Sequence, residues 1–313
     1  VRFLNENRVG GQIHFNPSEH KGSSSIYGNT VKLNQPEMWA KTSYRFNDVH
    51  RLTLYTSGFL QNQESFFVSL SYKAKQNNAF INLQHEFKYS TNHDLKTGIS
   101  FKHLDINEDI VFTDNIINRN YDGKYNRLEN VVGLFTENTM SFFKGKLTWI
   151  AGIRADNHNQ FGWEITPRTL LKYDPTSKLT IRANIGTGWR TVNFFSENIG
   201  LLASSRDIIF TEALKPEKAV NMGINITQKF EKENVSGYIS LDYYRTNFQN
   251  QIFPDYDTDP TKAIVKNFTG KNVSNGFQTD FFIKLYKRYE FKAGYNFLDV
   301  YRINNDKKEV LPF

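Results

Sequence analysis

The sequence predicts an all-β chain that crosses a membrane as an antiparallel β-barrel. Three observations predict it. Apolar and polar residues alternate with a period of two over stretches of about ten residues, the length of a tilted membrane-crossing strand. The connections between those stretches alternate between short and long, as they do when tight turns face one side of a membrane and long loops the other. Aromatic residues make up 15% of the 313, with 27 Phe and 16 Tyr, while mean hydropathy is −0.57. That combination suits strands with one lipid face, one watery face and aromatic girdles at both interfaces. A soluble sandwich or propeller also strings together many strands, but it needs neither strands this long nor loop lengths that follow strand parity.

Along the chain, a clear strand lies at 78–89, with Ala79, Ile81, Leu83 and Phe87 on one face and Asn78, Asn82, Gln84, Glu86 and Lys88 on the other. The pattern at 129–142 is less clean, because Val131, Val132, Leu134 and Phe135 mark both faces. At 146–156, Leu147, Trp149, Ala151, Ile153 and Ala155 oppose Thr148, Gly152, Arg154 and Asp156, with Ile150 out of phase. The stretch 178–188 alternates most regularly, setting Leu179, Ile181, Ala183 and Ile185 against Thr180, Arg182, Asn184 and Gly186. At 235–246, Val235, Ile239, Leu241 and Tyr243 oppose Ser236, Ser240, Asp242 and Thr246. Read this way, the chain holds about twelve membrane-length strands.

Short turns are expected at Asn47-Asp48-Val49, Thr91-Asn92-His93, Phe143-Lys144-Gly145, Asp174 to Ser177, Glu231 to Asn234 and Lys287-Arg288. Long connections are expected at 61–76, 107–128, 189–215 and 251–269; Asn159 to Gly162 is short although it falls on the long side. No internal repeat, low-complexity tract or Pro/Gly linker marks a second domain, so residues 1–313 read as one barrel domain. It reads as a partial one, ending at Leu311-Pro312-Phe313 without a terminal strand. No secretory signal is visible, and Val1-Arg2-Phe3 opens inside polar, strand-like sequence.

No apolar run comes near the ~18 residues of a membrane helix. The absence of cysteine removes disulfide frameworks, thiolate metal sites and cysteine nucleophiles. A net charge of +7 would suit an anionic partner such as nucleic acid or lipopolysaccharide, but the 39 basic and 32 acidic residues are interspersed. They form no stripe and no nucleic-acid-binding motif, so no nucleic-acid partner is expected.

One ordered series is more specific. It runs Thr166-Pro167-Arg168, Leu171-Lys172-Tyr173, Gly186-Thr187-Gly188-Trp189-Arg190, Asn193-Phe194-Phe195-Ser196-Glu197, Ser204-Ser205-Arg206 and Leu214-Lys215-Pro216-Glu217. Tyr243 to Phe248, Asn250-Gln251 and Gly270 to Asn275 follow. In this order and spacing, from about Phe80 to Phe313, it resembles the barrel of TonB-dependent receptors. The resemblance implies a bacterial outer-membrane barrel of about 22 strands with a plugged lumen, of which this sequence holds the barrel portion and not the plug. It implies outer-membrane lipid and a TonB-type energy-coupling complex as partners. The imported ligand would be bulky and scarce: a ferric siderophore foremost, or haem, cobalamin or an oligosaccharide. The other readings are a passive porin or structural barrel, and a barrel enzyme with an acid–histidine set near the rim.

The residues themselves supply the candidates. Arg154, Arg168, Arg182, Asn184, Asp242 and Glu86 fall on the polar face and would line the lumen. Arg190, Asn193, Glu197 and Arg206 fall in the longest connection; with Glu217 they would brace it over the mouth or touch ligand. Asn193 to Leu202 has the pattern of a short helical turn, and Pro216 suits a strand start, where no ladder donor is needed. Gly186 and Gly188 would let another backbone approach the lumen wall. Asp156 and His158 share a face near an outer strand end and are the one weak acid–base candidate. The seven histidines (14, 20, 50, 85, 93, 103 and 158) are dispersed without metal-ligand spacing. No Walker loop, His-Glu-x-x-His or Gly-x-Ser-x-Gly is present, and Gly186-x-Gly188 leads to Thr191, not to a dinucleotide fingerprint. No metal and no cofactor is expected.

Overall fold

A computed structural model describes residues 1–21, 23, 25–112, 119–304 and 307–310. In chain order they form β1 (Arg2–Gly11), β2 (Gly28–Arg45), β3 (His50–Phe67), β4 (Leu70–Ser90), β5 (His93–Phe112), β6 (Gly123–Phe142), β7 (Leu147–His158), β8 (Gly162–Thr176) and β9 (Leu179–Arg190). Two one-turn helices follow, α1 (Phe194–Glu197) and α2 (Ile199–Leu202). The remainder is β10 (Asp207–Phe210), β11 (Glu217–Lys232), β12 (Val235–Gln249), β13 (Ile252–Asp255), β14 (Lys262–Asn267), β15 (Lys271–Leu285), β16 (Tyr289–Asn304) and β17 (Lys307–Val310). Among the described residues no helix is long and apolar enough to cross a membrane.

Fourteen strands form one antiparallel sheet in the order β1 to β9, β11, β12, β15, β16, β17; β10, β14 and β13 form a second, small sheet. The count exceeds the expected twelve because β1 and the four-residue β17 add to the ends of the sheet. The membrane face is legible in the register. Leu54 pairs with Leu83, Leu83 with Ile99, Ile99 with Leu134, Leu134 with Ala155 and Ala155 with Ile165. The neighbouring inward row reads Thr53, Gln84, Gly98, Phe135, Arg154, Thr166. Leu54, Leu83, Ile99, Leu134 and Ile165 are all exposed, a continuous apolar band that a soluble monomer does not present.

The strands are longer than the membrane requires. β2 to β6 run 18 to 21 residues; at ~3.3 Å per residue the longest reaches roughly 70 Å, about twice a hydrocarbon core of ~30 Å. The expected loops at 61–76 and 107–128 are therefore mostly strand. β3 and β4 meet at the two-residue connection Val68-Ser69, and β5 and β6 leave only 113–122 between them, of which 113–118 lie outside the described residues, as does Leu311-Pro312-Phe313. The reason is a reversal of phase. Below it, Ala79, Ile81 and Leu83 face outward and Asn82, Gln84 and Glu86 inward; above it, Leu70, Tyr72 and Ala74 are buried on the inward face and Lys73 and Lys75 face outward. On β5 the same change separates outward Ile99 and Phe101 from inward Leu104, Ile106 and Ile110. The upper sheet is built like a soluble antiparallel sheet, apolar within and solvated without.

The short connections lie at 46–49, 91–92, 143–146, 177–178, 233–234 and 286–288, all at one end of the sheet. Phe143-Lys144 and Tyr286-Lys287 have consecutive positive φ angles, the backbone of the primed turns that match strand twist. At the opposite end, 159–161 is as short as expected, while 191–216 holds α1, α2 and β10, and 250–270 holds β13 and β14. Pairing of β8 with β9 stops at Arg168 and Gly186, whereas β9 and β11 stay paired up to Arg190 and Glu217. Above that point Trp189 and Lys218, in outward phase, reach Asp156 and Glu164, in inward phase. The upper ends of β9 and β11 thus pass behind the β7–β8 hairpin.

Ile99 lies mid-band, flanked by Leu83 and Leu134. Ile99→Arg is expected to destabilise the folded barrel by about 2–4 kcal/mol, and Gln84→Ala, on the inward row, by far less. Urea titrations of the protein folded into lipid vesicles measure both, and equal losses would reject the membrane assignment of the faces.

Candidate functional site

The long connections at the upper end do not hang free. β10 pairs in parallel with β14, and β14 antiparallel with β13, so 191–216 and 250–270 are joined into one small unit. Phe194, Phe195, Leu201, Leu202, Ile208, Ala263 and Val265 form its core. That core is continuous with the inward face of the upper sheet, through Phe67, Leu70, Tyr72, Ala74 and Ile110, and with Tyr121 of the β5–β6 connection. The Phe195 ring sits 4.7 Å from Tyr125, and Phe194 meets Phe210 edge-on at 5.1 Å. Each large side chain fully buried here contributes about 1.5–3 kcal/mol, enough to hold the loops as a cap against the wall.

Polar contacts fix where the cap attaches. Glu129 on β6 is 2% exposed; its Oε1 accepts from Arg127 Nε at 2.6 Å and its Oε2 from Thr191 Oγ1 at 3.0 Å, while Arg127 also donates to the Val192 carbonyl. Arg190 joins two carboxylates, donating to Glu217 Oε2 at 2.7 Å and Glu197 Oε2 at 2.9 Å. Glu217 Oε1 accepts from the Ile252 amide at 2.8 Å, and Glu197 Oε1 from the Asn193 amide at 2.9 Å. Arg206 does not join this group: its guanidinium lies 4.9 Å from the Tyr256 ring centre. Asn267 is a third junction, donating to the carbonyls of Lys215 and Asn250 and accepting from the Lys215 amide at 2.7 Å.

Below the cap the inward wall is charged and self-paired. Arg168 donates to Glu137 at 2.7 Å, Arg182 to Asn225 at 3.0 Å, and Asn225 in turn to Asp242 at 2.8 Å. Glu86 pairs with Arg51 and accepts from Gln84 at 2.9 Å. A cavity of about 310 Å³ opens among Asn82, Gln84, Glu137, Arg154, Thr166 and Arg168. A second, of about 560 Å³, is lined by Leu170, Asn184, Ile185, Gly186, Gly188 and Asn221. No backbone crowds the two glycines as expected: a Cβ at Gly186 would meet Arg168, and one at Gly188 would meet nothing. Space demands glycine at Gly98 on the inward row, where a Cβ would lie 2.5 Å from both the Leu83 carbonyl oxygen and the Phe135 ring.

Asp156 and His158 are both occupied. Asp156 Oδ2 accepts from Arg154 Nε at 2.9 Å and Trp189 Nε1 at 3.3 Å. His158 Nδ1 accepts from the Gln160 and Phe161 amides at 3.0 and 3.3 Å, so the other nitrogen carries the proton and points at Glu129 Oε1, 3.6 Å away. No hydrogen bond joins Asp156 to His158, and both are buried, an arrangement that braces the rim. The histidines are not all apart, because the fold brings His50 Nδ1 to 3.1 Å from His85 Nε2, stacked with Phe87 in the outward girdle near the short turns. Among the described residues no group of three or more metal-ligating side chains converges.

Sequence reasoning missed Glu129, Asn267 and the buried pair of Tyr72 with Glu108, whose O–H···O distance is 2.7 Å. Glu108 carried a usable signal, a carboxylate in phase with Leu104, Ile106 and Ile110.

Residues 4–312 match the family model described as "TonB dependent receptor-like, beta-barrel". A comparison with curated proteins gives no match. Among solved structures, the FrpB iron transporter of Neisseria meningitidis superposes with a TM-score of 0.63 at 12% identity, over 98% of this chain and 50% of its own. The alcaligin outer-membrane receptor FauA of Bordetella pertussis gives 0.61 at 12%, over 96% and 49%. The copper transporter OprC gives 0.67 at 12%, over 92% and 51%. The chain thus spans about half the length of the solved structures it matches.

Removing Glu129 leaves Arg127 without its buried partner, a change that costs about 3–5 kcal/mol. Glu129→Ala is therefore expected to free the start of the 191–216 segment, read as cleavage there by a protease added to folded protein; unchanged resistance would show that the apolar core alone holds the cap. The upper sheet also predicts a pH response, since Glu108 lies above the lipid band. Burial pushes its carboxyl above the usual glutamate range, with the Tyr72 hydrogen bond opposing. The folded state therefore holds the proton more tightly than the unfolded chain. That stabilisation is full below the ordinary glutamate range and is lost as pH rises through the folded value. Protease resistance of the cap should decline over that window in the native protein and not in Glu108→Gln.

Proposed function

Because the chain belongs to the TonB-dependent receptor β-barrel family, whose members are transport receptors of the outer membrane, we propose that it forms wall and outer mouth of an energy-coupled importer. In this reading residues 1–313 are part of a single barrel domain, completed by further strands and by a plug that a TonB-type complex acts upon. The cargo is a bulky, scarce ligand, a ferric siderophore before haem, cobalamin or an oligosaccharide. The observation that carries the proposal is the cap: two long loops folded into one unit and pinned to the wall above a lumen lined by paired charges. Such a mouth can hold a large polar ligand by many modest contacts. Asp156 and His158 are buried and serve as braces, which leaves the more exposed Arg190 and Arg168 to meet ligand, with Glu197 and Asn193 beside Arg190 and Arg206 apart from them at Tyr256. The names of the similar structures, an iron transporter, an alcaligin receptor and a copper transporter, support metal-linked cargo.

Two measurements on the complete protein test this. Cells expressing it should take up at least one ferric siderophore only when TonB is present, and Arg190→Ala should lower that uptake by loosening the loop. In planar bilayers the protein should show low basal conductance that rises when the plug is deleted. Constitutive conductance without uptake would establish the passive porin instead.

A further inference from the structure

Above the lipid band, the outward faces of β1 to β6 make one continuous polar surface of unusual composition. Pairing sets Asn5 opposite Asn34, Asn34 opposite Asn62, Asn62 opposite Lys75, Lys75 opposite Asn107 and Asn107 opposite Asn126. All are exposed. Asn107 donates to Asp105 at 3.0 Å; the amides of Asn5, Asn34, Asn62 and Asn126 make no side-chain hydrogen bond among the described residues. On the next rung out, Lys32, Glu64, Lys73, Asp109 and Lys124 face one another in turn. Their alternating signs offset across each strand pair, so the surface carries little net field.

The row crosses the strands at right angles, whereas the top of the lipid band crosses them obliquely because barrel strands tilt. On β3 the row is the first outward position above Leu60; on β6 it is the third above Val132. It therefore climbs from the membrane surface outward over some distance. We propose that this face docks the oligosaccharide of lipopolysaccharide, the glycolipid of the outer leaflet. A primary amide offers two donors and an acceptor oxygen, a match for sugar hydroxyls, which both donate and accept. Strands about 4.8 Å apart space those amides at close to the length of one sugar ring, and Lys75 stands among them for a phosphate group. The occupant follows from continuity with the membrane face. Leu60, Ile81, Phe101 and Val132 lie directly below on the same strands, so a glycolipid whose acyl chains cover that band carries its saccharide up this surface. A phospholipid headgroup would reach only the lowest positions. A protein partner would seek an apolar centre, and the face offers only the scattered Val9, Val111 and Leu128.

The test reconstitutes the complete protein with lipopolysaccharide bearing its full core saccharide, with lipid A alone, or with phosphatidylglycerol, then measures by mass spectrometry the lipid retained through detergent washing. The native protein should retain the saccharide form about tenfold better than lipid A, a difference that a few modest hydrogen bonds supply. The variant Asn34→Ala, Asn62→Ala, Asn107→Ala, Asn126→Ala should hold both equally. Equal retention of the two glycolipids by the native protein would overturn the proposal without any variant. So would a folded variant that still prefers the saccharide form.

Discussion

Inside a bilayer no water is available to a backbone amide, and each unsatisfied group costs several kcal/mol. The arrangement of the membrane band follows from that constraint. The chain answers it with an antiparallel ladder of fourteen strands, in which every strand between the two edges has a neighbour on both sides. Once the ladder is fixed, side chains have only two directions. Leu54, Leu83, Ile99 and Leu134 must then face lipid, and Gln84, Arg154 and Thr166 the lumen. Charges such as Arg168 and Glu137 can be kept within membrane depth because they face the watery side and pair there.

The constraint lapses above the lipid, and the strands continue under different rules. Water now bathes the outer face, and the inner one becomes the site of burial. The loops use that inner apolar surface. Their helices and small sheet complete a core that neither the wall nor the loops could form alone. The divergence of β9 and β11 from β8 belongs to the same assembly, since it carries Trp189 across to Asp156 and sets Arg190 beside Glu197 and Glu217.

Much of the fold was legible in the sequence, and the part that was not has a physical cause. The faces of 178–188 and 146–156 could be read because those strands keep one phase. The upper halves of β4 and β5 were mistaken for loops because a reader following Ala79, Ile81 and Leu83 loses the alternation where two polar residues, Asn77 and Asn78, succeed one another. The muddled pattern at Val131 and Val132 is the same event, with an inward apolar residue directly followed by an outward one. The site was legible in part. Arg190, Glu197 and Glu217 do meet, but Arg206 went to Tyr256 instead, and the junctions at Glu129 and Asn267 depend on contacts between distant segments that no local spacing encodes.

The reversal of phase along β4, β5 and β6 also gives each strand a waterline of its own. A hairpin that slid by two residues would keep every side chain on its proper face, so face alone cannot detect the error. It would, however, raise or lower its waterline against its neighbours by roughly 7 Å, drawing Lys75 and Asn77 toward acyl chains or lifting Ile81 into water. The sequence thus specifies draught as well as orientation.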